Sequence, residues 1–173
     1  MDLLYRLEAQ LTEVVPFDPL PEGVRLDVSF DGRVTDGQLA GAQVRGIDYL
    51  LLRTDGVGVI DVRAKVVADE AVVEVKALGY LVPPDGIELP PPDVLLAPGF
   101  TWPDVELLVQ EVGFLRTGAA EWQDLNTTIA AIEGTVNPGT RQLVLEARAL
   151  KPAGALTDAG ALTASVRPNT KVA

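Results

Sequence analysis

The chain has 173 residues, 47% of them hydrophobic, which is enough for one domain with a full core. Its 25 acidic and 14 basic residues give a formal charge of −11, which argues against nucleic acid and anionic membrane surfaces as partners, since both are held through Lys and Arg. There is no Cys and no His, so disulfides, thiolate metal sites and His-based triads or bases are excluded, and a zinc ion would have only carboxylates to bind it.

Met1 to Arg6 has neither the basic start nor the unbroken apolar run of a signal peptide. No run of 18 apolar residues occurs. A cytoplasmic protein is the expectation. Leu3 to Val15 alternates as a strand would, although a helix would also gather Leu3, Leu4, Leu7 and Leu11 on one face. Pro16, Pro19 and Pro21 then interrupt the chain. Val24, Leu26, Val28 and Phe30 alternate with Arg25, Asp27 and Ser29, the pattern of a strand with one wet face. Asp31-Gly32 and Asp36-Gly37 are turn signals, and Leu39 to Val44 reads as a short strand.

The strongest local signal is Asp55-Gly56 between two β-branched and aliphatic runs, which predicts a hairpin with a two-residue loop. That register sets Leu50 opposite Asp61 and Asp48 opposite Arg63. Asp48, Asp61 and Arg63 would then share one face, and Ile47, Tyr49, Leu51, Ile60, Val62 and Ala64 the other. A second hairpin is predicted around Asp69-Glu70, with Lys65 opposite Glu74 and Arg63 opposite Lys76.

Residues 83–103 hold seven of the 13 prolines, so they form a long loop or lid and not a central strand. Val105 to Phe114 and Trp122 to Gly134 read as strands, Asn137-Pro138-Gly139-Thr140 as a turn, and Gln142 to Leu150 as a last strand. Residues 151–173 read as a tail or an arm on a partner subunit, leaving 1–150 as the folded domain. Many short strands with turn chemistry at nearly every junction indicate an all-β fold. A single antiparallel β-barrel of about eight to ten strands is favoured, because closure removes exposed edges.

Several elements occur in a characteristic order: Gly46-Ile47-Asp48-Tyr49, Arg53-Thr54-Asp55-Gly56, Asp61-Val62-Arg63, Asp69-Glu70, Phe114-Leu115-Arg116-Thr117 and Trp122-Gln123-Asp124-Leu125-Asn126. In this the chain resembles the bacterial small-barrel proteins of domain-of-unknown-function family 3237, over roughly residues 3 to 150. The resemblance implies a closed, calycin-like barrel, often a homodimer, with no firmly assigned activity. The chain departs from the pattern in three places: no Gly follows Asp69, the Pro-rich stretch is long, and residues after Leu150 are extra.

Asp48, Asp61 and Arg63 are the leading catalytic candidates. An Arg can clamp a carboxylate or enolate, and a desolvated Asp can act as a base near neutral pH. The competing explanation is a solvated sheet face carrying ordinary cross-strand charges. Tyr49, Arg53, Trp102, Trp122 and Asn126 are the candidate ligand-binding residues, with Trp102 in the Pro-rich loop placed to cover a pocket. No Walker loop, dinucleotide fingerprint, nucleophile elbow or calcium loop is present. The expected function is therefore binding of a hydrophobic small molecule, with cofactor-free isomerase or cyclase chemistry on a polyketide-like substrate. A ligand carrier or sensor, and a dimerisation barrel with a filled interior, are the alternatives. No cofactor and no metal are expected.

Overall fold

The structure, a computed structural model, describes residues 2–150; the expected arm at 151–173 lies outside the described residues. The fold is a closed barrel of eight antiparallel strands, each paired with its neighbours in sequence: β1 (Leu3–Pro16), β2 (Gly23–Asp36), β3 (Gln43–Arg53), β4 (Gly58–Ala68), β5 (Ala71–Val82), β6 (Leu107–Thr117), β7 (Ile129–Asn137) and β8 (Gln142–Leu150). β8 returns to pair with β1, with Glu8 opposite Val144. Among the described residues no helix is long and apolar enough to cross a membrane.

The alternation anticipated for most strands supplies the core. Leu7 and Ala9 on β1, Val24, Leu26 and Phe30 on β2, Ile60 and Val66 on β4, Val73 and Val75 on β5, and Leu143 and Leu145 on β8 all turn inward and are buried. Charged residues such as Glu8, Arg25, Asp27, Asp61, Arg63, Lys65 and Glu74 occupy most of the positions between them, with Ser29 and Val144 as exceptions. Each strand therefore buries one face at a period of two residues. Leu3 to Val15 is strand, which resolves the helical alternative.

The first hairpin differs from expectation. Its loop has three residues, Thr54, Asp55 and Gly56. Arg53 N–H donates to the Val57 carbonyl at 2.9 Å, and Gly56 N–H donates to the Arg53 carbonyl at 3.0 Å. Gly56 takes a φ of 81°, which suits a turn closed by a left-handed residue. The extra residue shifts the register by one. Asp48 now pairs with Val62, Ile47 with Arg63 and Leu52 with Gly58. Such a shift exchanges the two faces of β4. The second hairpin has the expected pairs, Lys65 with Glu74 and Arg63 with Lys76; Asp69 accepts a φ of 52° to close it.

Three other elements are corrected. Asp31-Gly32 is not a turn but lies inside β2, paired with Gln10 and Ala9 of β1. There Gly32 permits close approach, since a Cβ would sit 2.4 Å from the Glu8 carbonyl oxygen. Residues 37–42 form turns, and β3 begins only at Gln43. The stretch from Trp122 is not all strand: Ala120–Thr127 is a 3-10 segment, and β7 starts at Ile129. The Asn126 side chain holds that segment to the end of β6. It accepts from Thr117 N–H at 2.8 Å and donates to the Thr117 carbonyl at 3.0 Å.

Up-and-down order separates the two ends of the barrel. At one end lie residues 37–42, 69–70 and the 3-10 segment, and Leu39 and Leu125 are completely buried there. The other end carries residues 17–22, 54–57, the Pro-rich connection between β5 and β6, and the β7–β8 turn. The Pro-rich connection includes the one-turn helix α1 (Pro92–Leu95). It is tethered by Asn137, whose Nδ2 donates to Asp104 Oδ1 at 2.6 Å and to Glu106 Oε1 at 3.4 Å. Phe100 and Trp102 meet edge to face at 5.4 Å beside it. Replacing Leu125 with Ala removes the apolar plug of the first end, and urea denaturation should show a loss of about 2–5 kcal/mol.

Candidate functional site

The barrel interior is not filled. A cavity of about 210 Å³ runs up its axis and is lined almost entirely by aliphatic side chains, among them Leu26, Val28, Leu50, Ile60, Val109 and Leu145. It reaches the surface at the end covered by the Pro-rich connection, where Val14, Trp102, Pro138 and Arg141 form its rim. The volume falls below the roughly 300–1,000 Å³ of drug-sized pockets, so the space suits a compact ligand.

Three polar side chains enter this apolar space from three different strands: Tyr5 of β1, Asp48 of β3 and Glu111 of β6. Each lies on the inward row of its strand. Asp48 follows Val44 and Gly46 and precedes Leu50; Glu111 sits between Val109 and Gly113. Arg141, at the rim, is the one cation among the described residues lining the cavity.

Asp48 also alters the wall it belongs to. The β3–β4 ladder runs to Asp48–Val62 and resumes at Leu51–Val59. Within that gap the Asp61 N–H donates to Asp48 Oδ1 at 3.1 Å. Burial pushes the Asp48 carboxyl up to about 7; the Asp61 N–H opposes that shift, and the charges of Asp61 and Asp27 add to it. Burial likewise raises Glu111 to about 8, helped by the charge of Asp48. Burial, then the charge of Glu111, raise the Tyr5 phenol well above its ordinary range, so it stays protonated. Among the described residues neither the Glu111 carboxyl nor the Tyr5 hydroxyl has a hydrogen-bond partner, and neither is sealed away from open space. Their polar atoms face the cavity.

Asp48 and Trp102 are the candidates from sequence that line this cavity. Asp61 and Arg63 stand on the outer wall, 44% and 50% exposed and 3.4 Å apart, because the longer hairpin loop turns their row outward. Tyr49 is also outside, with the Arg25 guanidinium 5.3 Å from its ring centre. Arg53 lies at the hairpin turn, paired with Asp55. Trp122 is part of the 3-10 segment at the far end, partly buried against the core. Asn126 is engaged with the Thr117 backbone. Asp61, Arg63, Tyr49, Arg53, Trp122 and Asn126 therefore do not converge with Asp48. Among the described residues no group of three or more carboxylates converges as a metal site would require.

Glu111 was missed because both rows of β6 are largely apolar: Leu107, Val109 and Leu115 on one, Leu108, Val112 and Phe114, with Gln110 and Arg116, on the other. A charge interrupting one row was the available signal, but nothing in the sequence said which row faces inward. Tyr5 was missed because one aromatic on the apolar row of an alternating strand carries no signal that separates core packing from ligand contact.

No protein-family model matches the chain, and no match is found among curated proteins. Solved structures do match. A β-barrel-like protein from Acinetobacter baumannii AYE superposes with a TM-score of 0.65 at 18% identity, covering 87% of this chain and 94% of that one. A protein of unknown function from Clostridium acetobutylicum gives 0.67 at 14% identity, covering 87% and 98%. A conserved protein of unknown function from Rhodopseudomonas palustris gives 0.62 at 19% identity, covering 86% and 95%. Similarity at this level establishes the barrel fold and nothing finer.

The raised carboxyls make stability depend on pH. Both bind protons more tightly in the folded chain than in the unfolded one, where ordinary values near 4 apply. Their contribution is full below pH 4 and is lost as pH rises through about 7 for Asp48 and about 8 for Glu111. Urea midpoints measured from pH 5 to 9 should fall across that range. Asp48→Asn and Glu111→Gln should each flatten the decline.

Proposed function

We propose that this barrel binds a compact, largely apolar small molecule in its interior and moves a proton on it without a cofactor, as an isomerase or cyclase would. The observation that carries the reading is the pair of buried carboxyls, Asp48 and Glu111, in an otherwise aliphatic cavity open at one end. Burying such groups is unfavourable to the fold, and pairs of this kind concentrate at functional sites. Their shifted ionisation suits one group to accept and the other to supply a proton near neutral pH. A dry, shaped wall would hold the ligand while the carboxyls act. The non-catalytic carrier shares the cavity and lacks the proton transfer.

Membership of family 3237 is part of the proposal, on the ordered elements from Gly46 to Asn126, and so are a cytoplasmic location and a homodimer. The dimer is supported by the outer wall. Leu78, Val112, Phe114 and Ile129 are all exposed there. Leu78 pairs with Val112 and Phe114 with Ile129 across β5, β6 and β7, which makes one continuous apolar area.

Native mass spectrometry of protein purified from its own host should show a small-molecule adduct lost on denaturation. In a Trp122→Phe background, Trp102 at the cavity rim should change its fluorescence when cyclohexanone is titrated in. Absence of both signals overturns the reading. Arg63→Met, on the outer wall, should leave the titration unchanged. Light scattering should return a dimer mass that Phe114→Lys converts to a monomer; a wild-type monomer removes the dimer from the proposal.

A further inference from the structure

We propose that Tyr5 and Glu111 form a two-donor site for a carbonyl oxygen and that Asp48 is the base facing it, so that the substrate is a compact apolar ketone with a C–H acidified by that carbonyl and a neighbouring C=C bond. The inference rests on the interior-ligand reading and assigns its substrate class.

The geometry that points there is the pairing of unsatisfied groups. Tyr5 and Glu111 come from β1 and β6, and both present polar atoms to the cavity with no partner in the protein. Asp48 comes from β3 and has its Oδ1 held by the Asp61 N–H. One group is positioned by the wall, and two are free to meet something in the lumen. The Asp61 N–H stabilises the ionised form of Asp48, whereas Glu111 has no such donor and burial among aliphatic side chains favours its neutral form, so Asp48 is the group to ionise and Glu111 the one to keep its proton. A carboxylic acid held neutral in this way donates a hydrogen bond. The Tyr5 hydroxyl, which does not ionise at these pH values, is a second donor. Two O–H donors in a low-dielectric cavity select an oxygen that gains negative charge.

A protonated amine is the other ligand that two acids could attract. It could pair with the Asp48 carboxylate but offers no acceptor to the O–H groups of Tyr5 and Glu111, whereas a ketone engages all three groups in the protonation states the cavity favours. The remaining charges near the site are Arg141 at the rim, and Asp61 and Asp27, whose charges act on Asp48; none supplies a counter-charge deep in the lumen.

The step balances without a co-reactant. The Asp48 carboxylate removes a proton from the carbon between the carbonyl and the C=C bond. That C–H bond breaks, an O–H bond forms on Asp48, and the electron pair spreads onto the carbonyl oxygen as a dienolate. Tyr5 and Glu111 donate hydrogen bonds to this oxygen and keep their protons. Asp48 then returns its proton to the far end of the former double bond. The product is the conjugated enone, and Asp48 is a carboxylate again.

Cyclohex-3-enone is small enough to serve as the probe, and its conversion to cyclohex-2-enone is followed by the absorbance of the conjugated product. Wild-type protein should catalyse the conversion. Asp48→Asn should lower kcat by about 10²–10⁴-fold, and Tyr5→Phe and Glu111→Gln by about 10²–10³-fold each with KM little changed. The rate should rise with pH as Asp48 ionises and fall as Glu111 does. A second readout needs no turnover: Asp48→Asn stands for the protonated base, so that variant should bind 4-nitrophenolate, and adding Tyr5→Phe or Glu111→Gln should weaken binding at least about tenfold. If Trp102 still responds to cyclohexanone but cyclohex-3-enone is not converted, the substrate class fails while the interior-ligand reading stands. If Asp48→Asn alone matters, the two-donor site fails. If cyclohexanone does not bind and no small-molecule adduct co-purifies, both readings fail together.

Discussion

Pairing of β8 with β1 closes the sheet, and the rest of the structure depends on that closure. In an open sheet a side chain on either face can find water. In a closed barrel every second residue is committed to an enclosed space, and no edge remains for another chain to pair with. A polar residue on the inner row must then be tolerated unsatisfied, be satisfied by the wall, or be matched by something held inside. Asp48 takes part of the second course, through the N–H that the interrupted β3–β4 ladder releases. Tyr5 and Glu111 take neither wall partner nor full burial, and their polar atoms point to the open lumen.

The two ends of the barrel are built for different purposes. Leu39 and Leu125 plug one end as an ordinary core would, and Asn126 secures that plug by bonding to both polar groups of the Thr117 backbone. At the other end the cavity meets exposed Val14 and Arg141 beneath a proline-rich strap, which Asn137 fastens to the β7–β8 turn. Proline limits the strap's own conformations, so its position over the mouth needs few anchoring contacts. Trp102 is carried on this strap to the rim.

The net charge of −11 acts mainly on the outside. The interior carboxyls are a separate matter, since burial, with the charges of Asp61 and Asp27 on Asp48 and of Asp48 on Glu111, holds protons on them that surface acids would release. A barrel with only aliphatic lining would be more stable and would offer a ligand no direction. Tyr5, Asp48 and Glu111 supply direction and chemistry, and the cost appears as stability that declines with rising pH.

Alternation in Val24 to Phe30 and Gln142 to Leu150, the second hairpin, and the prolines between 83 and 103 were enough to read an all-β barrel with a long connection at one end. These are local signals, set by backbone preference and by side-chain period. Asp48 was legible as an acid on a mostly apolar strand. Its partners were not, because Tyr5 and Glu111 are separated from it by 43 and 63 positions, and only closure brings β1, β3 and β6 around one axis. The identity of the inward face on β4 turned on a single loop residue, Thr54: with a two-residue loop Asp61 and Arg63 would have shared Asp48's face, and with three they stand outside. Composition and pattern determined that the chain is a barrel; the register of one hairpin and the closing of β8 onto β1 decided which acids see its interior, since inward or outward is a property of the whole ring of strands and not of any segment alone.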